Sequence, residues 1–81
     1  ILDIAPVNAG HLLIVPRTEV RHLAELPAAD LGELGPLLAR ATACVRQATG
    51  CAAVNLVLND GQEAGQAVPH VHVHVIPRMI D

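Results

Sequence analysis

The chain of 81 residues is long enough for one domain but not for a thick core, since a chain this short buries only roughly 60% of its unfolded surface. It is 52% hydrophobic with mean hydropathy +0.43, yet it holds no Phe, Tyr or Trp, so its core is aliphatic and no aromatic ring can stack on a base. The net charge is −3 and the five basic residues are arginines scattered at positions 17, 21, 40, 46 and 78, which excludes a nucleic-acid polymer as partner.

Residues 1–5 read as a strand that ends at Pro6, and Asn8-Ala9-Gly10 is turn chemistry. His11-Leu12-Leu13-Ile14-Val15 is a second strand closed by Pro16, and the short connection implies an antiparallel hairpin. In that strand His11, Leu13 and Val15 share one face, and Leu12 and Ile14 the other. Over residues 22–50 the apolar period changes. Leu31, Leu34, Leu38, Ala41, Val45 and Ala48 recur at three- and four-residue steps, which is one helical stripe. Pro27 suits the first turn and Gly50 the stop. Pro36 should kink the axis, with Gly32 easing the crowding four residues back.

Residues 53–58 then read as a strand, 59–61 as a turn, 63–66 as a loop and 70–78 as the final strand. The order β-β-α-β-β, with sequential strands adjacent, gives an α+β fold: an antiparallel sheet with one main helix on one face. No apolar run approaches the ~18 residues of a membrane span, and no basic-then-apolar leader is present, so neither a span nor a signal peptide is expected. Cys44 and Cys51 fit no common zinc spacing and read as small buried thiols in a reducing, cytoplasmic compartment, with a disulfide or metal pair as the alternative.

The final strand carries the chemistry. His70, His72 and His74 alternate with Val71, Val73 and Val75, so a strand would line three imidazoles along one face at about 6.7 Å spacing and pack three valines on the other. Such a row supports three chemistries. Two histidines two apart can share a zinc ion; a neutral imidazole can attack phosphorus; protonated rings can hold an anion. The preceding loop, Asn59-Asp60-Gly61-Gln62-Glu63-Ala64-Gly65-Gln66, is rich in glycine and neutral amides, which offer N–H donors to an anion. With no Cys or third-strand carboxylate placed to complete a zinc shell, amide donors beside a histidine row suit phosphate better than a metal.

The stretch Glu63-Ala64-Gly65-Gln66-Ala67-Val68-Pro69-His70-Val71-His72-Val73-His74-Val75-Ile76-Pro77-Arg78 resembles the signature of the histidine triad family. Leu2-Asp3-Ile4-Ala5-Pro6 and Gly10-His11-Leu12-Leu13-Ile14-Val15-Pro16 match the same family in order and spacing, so the resemblance covers nearly the whole chain. Glu-Ala-Gly-Gln before the triad is especially similar to the fragile-histidine-triad branch, which cleaves dinucleoside polyphosphates; the family also includes nucleoside phosphoramidate hydrolases.

The resemblance implies that His72 is the nucleophile, that His74 contacts phosphate oxygens and that His70 supports the histidine network. It places Asn59 and Gln66 near the α-phosphate, Asp3 on the ribose hydroxyls and His11 beside the triad. It implies a cytoplasmic homodimer that takes a small nucleotide substrate and needs no cofactor, with Mg²⁺ accompanying a polyphosphate substrate. Ala67 departs from the Ser or Thr common in the family, whose hydroxyl helps the phosphate or leaving group. Residues 1–81 are expected to be a single histidine triad domain cut from a longer one at both ends. The rival expectations are a zinc-binding cluster that joins His11 to two of the triad, and a non-catalytic nucleotide-binding dimer.

Overall fold

The computed structural model describes residues 2–8 as backbone and residues 10–79 with their side chains. Strand β1 (Leu2–Asn8) and β2 (His11–Pro16) form a hairpin, helix α1 (Ala28–Thr49) follows, and β3 (Ala53–Val57) and β4 (Val73–Arg78) complete the sheet. Short 3₁₀ turns at Leu23–Glu25 and Gln62–Ala64 sit in the connections.

All three strand pairs are antiparallel and one main helix packs on the sheet, as expected for the α+β class. The strand order, however, is β1-β2-β4-β3 and not sequential. β4 lies between β2 and β3, which therefore run in the same direction and are joined through α1, the crossover that such strands require. Burial explains the insertion. Val71, Val73 and Val75 are 1%, 5% and 0% exposed, so the last segment carries the most apolar face and takes the middle of the sheet. Val73 and Val75 meet Ile14 of β2 and Ala41 and Val45 of α1, with Leu34, Leu37 and Leu38 closing the layer.

Several boundaries move from their sequence expectations. β1 runs through Pro6 to Asn8, with a register shift between those two residues. β1 is an edge strand, where a proline interrupts no inner ladder. The helix begins at Ala28, one residue after the Pro27 expected in its first turn. Residues 23–25 form a separate 3₁₀ turn, in which the His22 N–H donates to Glu25 Oε1 at 2.9 Å, and Pro27 caps α1 from outside. The Thr18 hydroxyl donates to Asp30 at 2.9 Å, tying the end of the β2 connection to the first helical turn.

The buried stripe of α1 is also narrower than its sequence pattern. Leu31 is 42% exposed and Ala48 is exposed, while Leu37 joins the core. Pro36 sits inside an uninterrupted helix. Its missing N–H deprives the carbonyl of Gly32, but both residues are exposed, so water can serve that carbonyl. The cysteines are two free thiols, Cys51 buried in the core and Cys44 exposed, contrary to the expectation that both are buried. Among the described residues no helix is long and apolar enough to cross a membrane.

The hairpin is locked to the far end of the helix through Gly10. Its φ is +84°, and a Cβ placed there would lie 2.6 Å from Thr49 Cγ2 and 3.2 Å from Pro77 Cγ. Gly50 ends α1 with φ +71°, but a Cβ there would meet open space. Both positions carry the left-handed cost of roughly 1–2 kcal/mol for a residue with a Cβ, and only Gly10 adds overpacking, typically about 1–3 kcal/mol. Gly10→Ala should therefore destabilise the chain clearly more than Gly50→Ala. Urea unfolding of the two variants measures the difference, and equal losses would contradict the packing at Gly10.

Candidate functional site

The two faces of β2 assign the two faces of the sheet. Ile14 and Pro16 are buried on the helix side, while His11, Leu13 and Val15 are half-buried on the other. The β2–β4 register sets Leu13 opposite His74 and Ile14 opposite Val73, so His74 lies on the face away from α1. His11 Nε2 and His74 Nδ1 are 3.0 Å apart, with ring centroids at 5.2 Å. On the other side of His74, the His72 ring meets it edge to face at 5.1 Å. Three of the histidines named from the sequence thus form one continuous cluster.

The expected nine-residue strand is shorter than supposed. β4 begins at Val73, so only His74 of the triad lies in the ladder. The preceding backbone is held by other partners: the Val71 N–H donates to Val20 O at 2.8 Å, and the His70 N–H turns back to Val68 O at 2.8 Å. The valine–histidine alternation nevertheless persists, because Val71 is as buried as the strand valines.

Protons in the cluster follow from the partners. A carbonyl can only accept, so His72 Nδ1, 2.8 Å from His70 O, carries the hydrogen. The Nε2 of a neutral His72 is then left with its lone pair. His70 likewise donates from Nε2 to Pro16 O at 2.6 Å, which pins its ring to the end of β2. Burial, and then the neighbouring His72 and His11, push His74 below the ordinary histidine value, so it is neutral at neutral pH. In the His11–His74 pair one nitrogen donates and the other accepts.

The amide residues lie in the loop before the triad. Gln66 is 8% exposed and both ends of its side chain are engaged: Oε1 accepts from the Gly61 N–H, and Nε2 donates to Arg21 O, each at 2.9 Å. One Nε2 hydrogen remains. Asn59 is half-buried beside Gly65 and makes no side-chain hydrogen bond among the described residues. The side chain of Asp3 lies outside what the structure describes, but its backbone pairs with Val15.

Sequence reasoning missed the fastening of this loop. His22 Nδ1 lies 2.7 Å from Asp60 Oδ1, and Asp60 Oδ2 accepts from the Leu23 N–H at 3.4 Å. The partners are 38 residues apart, and neither fits a local motif, so spacing carried no signal.

Two clefts flank the cluster. A small one of about 140 Å³ is lined by Leu13, Val15 and Val68 together with His70 and His72. A larger one of about 400 Å³ is bounded by the Arg21–His22 segment and the loop at Gly61 and Gln66, and none of the triad lines it. Among the described residues no group of three His, Cys, Asp or Glu converges where a metal ion could be held. The histidine nitrogens that face one another or a carbonyl are already in hydrogen bonds, which disfavours a zinc cluster.

Residues 1–80 match the family model described as HIT domain. The chain is 35% identical over 77 residues to the asymmetrical bis(5'-nucleosyl)-tetraphosphatase of Schizosaccharomyces pombe, covering 95% of this chain and 42% of that protein. It is 36% identical over 78 residues to an adenylylsulfatase of Arabidopsis thaliana, covering 96% and 40% respectively. Among solved structures, the Plasmodium falciparum diadenosine triphosphate hydrolase superposes with a TM-score of 0.85 at 28% identity, over 98% of this chain and 54% of that one. The chain thus spans about two fifths of the length of these curated relatives.

The depressed His74 value has a sign that can be checked. The unfolded chain takes up the proton first as pH falls, so this group leaves stability unaffected above the ordinary histidine range and lowers it as pH falls through that range. Ring-proton NMR should show His74 titrating below a free imidazole. Urea unfolding between about pH 7 and 5 should show a loss of stability that shrinks in His74→Asn. A His74 that titrates above free imidazole would contradict the assignment.

Proposed function

Because the chain belongs to the histidine triad family, we propose that it cleaves a substituted nucleoside monophosphate at the α-phosphate through a covalent nucleotidyl-histidine. The substrates are a dinucleoside polyphosphate or a nucleoside phosphoramidate. The observation that carries this reading is the hydrogen bond from His72 Nδ1 to His70 O, which fixes the tautomer and leaves Nε2 as an attacking lone pair in a residue that lines a cleft.

In the first step His72 Nε2 forms a bond to the α-phosphorus while the bond to the leaving group breaks in line. Positive charge develops on the imidazole, and the carbonyl that holds Nδ1–H stabilises it. In the His11–His74 pair one ring N–H is spent on the other ring, and the N–H of the accepting ring is left to donate to a phosphate oxygen. Asn59, with its amide unengaged, and the spare Nε2 hydrogen of Gln66 add to that cradle, and oriented donors of this kind are usually the largest catalytic contribution. Water then attacks phosphorus, releasing the nucleoside monophosphate and restoring the ring. The residues themselves supply nucleophile and donors, and Mg²⁺ enters with a polyphosphate substrate rather than as a resident ion.

The register of Asp3 opposite Val15, a residue of the histidine cleft, supports a place for Asp3 on the ribose hydroxyls. Self-association into a two-fold dimer is supported by the open edge of β3 and by Leu31 and Leu56, 42% and 45% exposed. A cytoplasmic setting agrees with two free thiols. The second reading, a nucleotide-binding protein without turnover, draws on Ala67, which has no hydroxyl to offer a leaving group.

Three measurements test the proposal. His72→Asn should abolish turnover of adenosine phosphoramidate and diadenosine triphosphate while holding AMP affinity within about tenfold, because the covalent route acts on rate more than on ground-state binding. A mass adduct of one nucleotide should form on the wild type and not on the variant. Residual activity above one tenth would overturn the assignment, and tight nucleotide binding with no wild-type turnover would favour the second reading.

Wild-type protein should prefer ribo- over 2′-deoxyribonucleotides, and Asp3→Ala should level them. Each lost charge-assisted hydrogen bond is worth about 1.5–3 kcal/mol. Equal wild-type affinities would remove Asp3 from the site. Light scattering at micromolar concentration should give twice the chain mass, and a monomer of 8.5 kDa would overturn the dimer.

A further inference from the structure

One run of chain, residues 66–70, separates the two clefts: Ala67 and Pro69 line the larger one, and Val68 and His70 the smaller. The larger cleft is therefore the immediate neighbour of the reacting site across a single wall. Its volume of about 400 Å³ against about 140 Å³ leaves room for a group as large as a nucleotide. Its chemistry is also different, since the small cleft is apolar apart from its two histidines, whereas the large one presents Arg21, Gln62 and Glu63.

Arg21 is the cation best placed to act there. It is exposed at the cleft wall, and its guanidinium makes no hydrogen bond or ion pair among the described residues. The other arginines are elsewhere or engaged: Arg78 donates to Asn55, Arg17 has a partner, and Arg40 and Arg46 lie on α1. His22, the second basic residue of the wall, is committed to Asp60. The backbone that carries Arg21 is held firmly, since its carbonyl accepts from Gln66 Nε2 and the next residue is clamped by Asp60. A fixed stem with an unengaged planar fork is the arrangement that suits phosphate.

We propose that this cleft receives the departing half of the substrate, a second nucleotide joined through a phosphate chain, and that Arg21 grips its phosphate. Glu63 on the same wall decides between a nucleotide and bare polyphosphate. A carboxylate repels a purely anionic ligand but accepts from ribose hydroxyls, and Gln62 offers both a donor and an acceptor beside it. The chain then discriminates among substrates by what leaves: a dinucleotide fills both clefts, and a phosphoramidate with ammonia as leaving group fills one. The inference rests on the cleavage proposed above and deepens it.

The test compares kcat/KM for diadenosine triphosphate and adenosine phosphoramidate in the wild type, Arg21→Ala and Arg21→Lys. Arg21→Ala should lower the dinucleotide-to-phosphoramidate ratio about tenfold, and Arg21→Lys should recover part of it. An unchanged ratio would overturn the assignment, as would a wild-type preference for ATP, which loses pyrophosphate, over the dinucleotide. If the wild type turns over neither substrate, the cleavage reading fails and calorimetry decides the cleft alone. Wild-type affinity should then be higher for diadenosine triphosphate than for AMP, with the advantage lost in Arg21→Ala. Equal wild-type affinities would overturn the cleft.

Discussion

The packing of Val73 and Val75 against Ile14, Ala41 and Val45 governs the rest of this small structure. A chain without aromatic rings has few ways to fill a core, and the last segment offers its best aliphatic face. Once those valines turn toward α1, the residues between them have nowhere to go but the opposite face. The histidine cluster is thus set by the core and not built independently of it. The same packing draws β4 to the centre of the sheet, where β2 on one side supplies His11 and Leu13 to the histidine face.

Within that frame the cluster is arranged by hydrogen bonding and not by charge. His70 and His72 each give a proton to a backbone carbonyl, and His11 and His74 share one between them. Burial, and then the neighbouring His72 and His11, lower the His74 value and favour its neutral ring. The loop that carries the amides is fastened separately, by Gln66 to Arg21 O and by Asp60 to His22 and Leu23.

Much of this was legible in the residues. The alternation of His with Val declared a two-faced segment, the three- and four-residue spacing of Leu34, Leu38, Ala41 and Val45 declared the helix, and Gly50 declared its end. Strand order was not legible, because periodicity reports which face of a strand is apolar and not which neighbours it takes. The start of the helix was legible, since Pro27, expected in the first turn, is the residue that precedes Ala28. Arg21 and His22 carried no signal in the sequence, because their partners Gln66 and Asp60 lie 45 and 38 residues away and only folding brings them together.

The late start of β4 has a consequence for any attempt to move this chemistry to another protein. Because the ladder opens at Val73, the triad segment is braced elsewhere: the His70 ring donates to Pro16 O at the end of β2, and the Val71 N–H donates to Val20 O in the segment that follows. Grafting the His-x-His-x-His string onto a foreign sheet would carry the rings but not the struts. The smallest transplantable unit is discontinuous. It comprises the end of β2 with residues 17–23, the loop of residues 59–66, and the triad segment itself, which is why so short a motif depends on most of the chain around it.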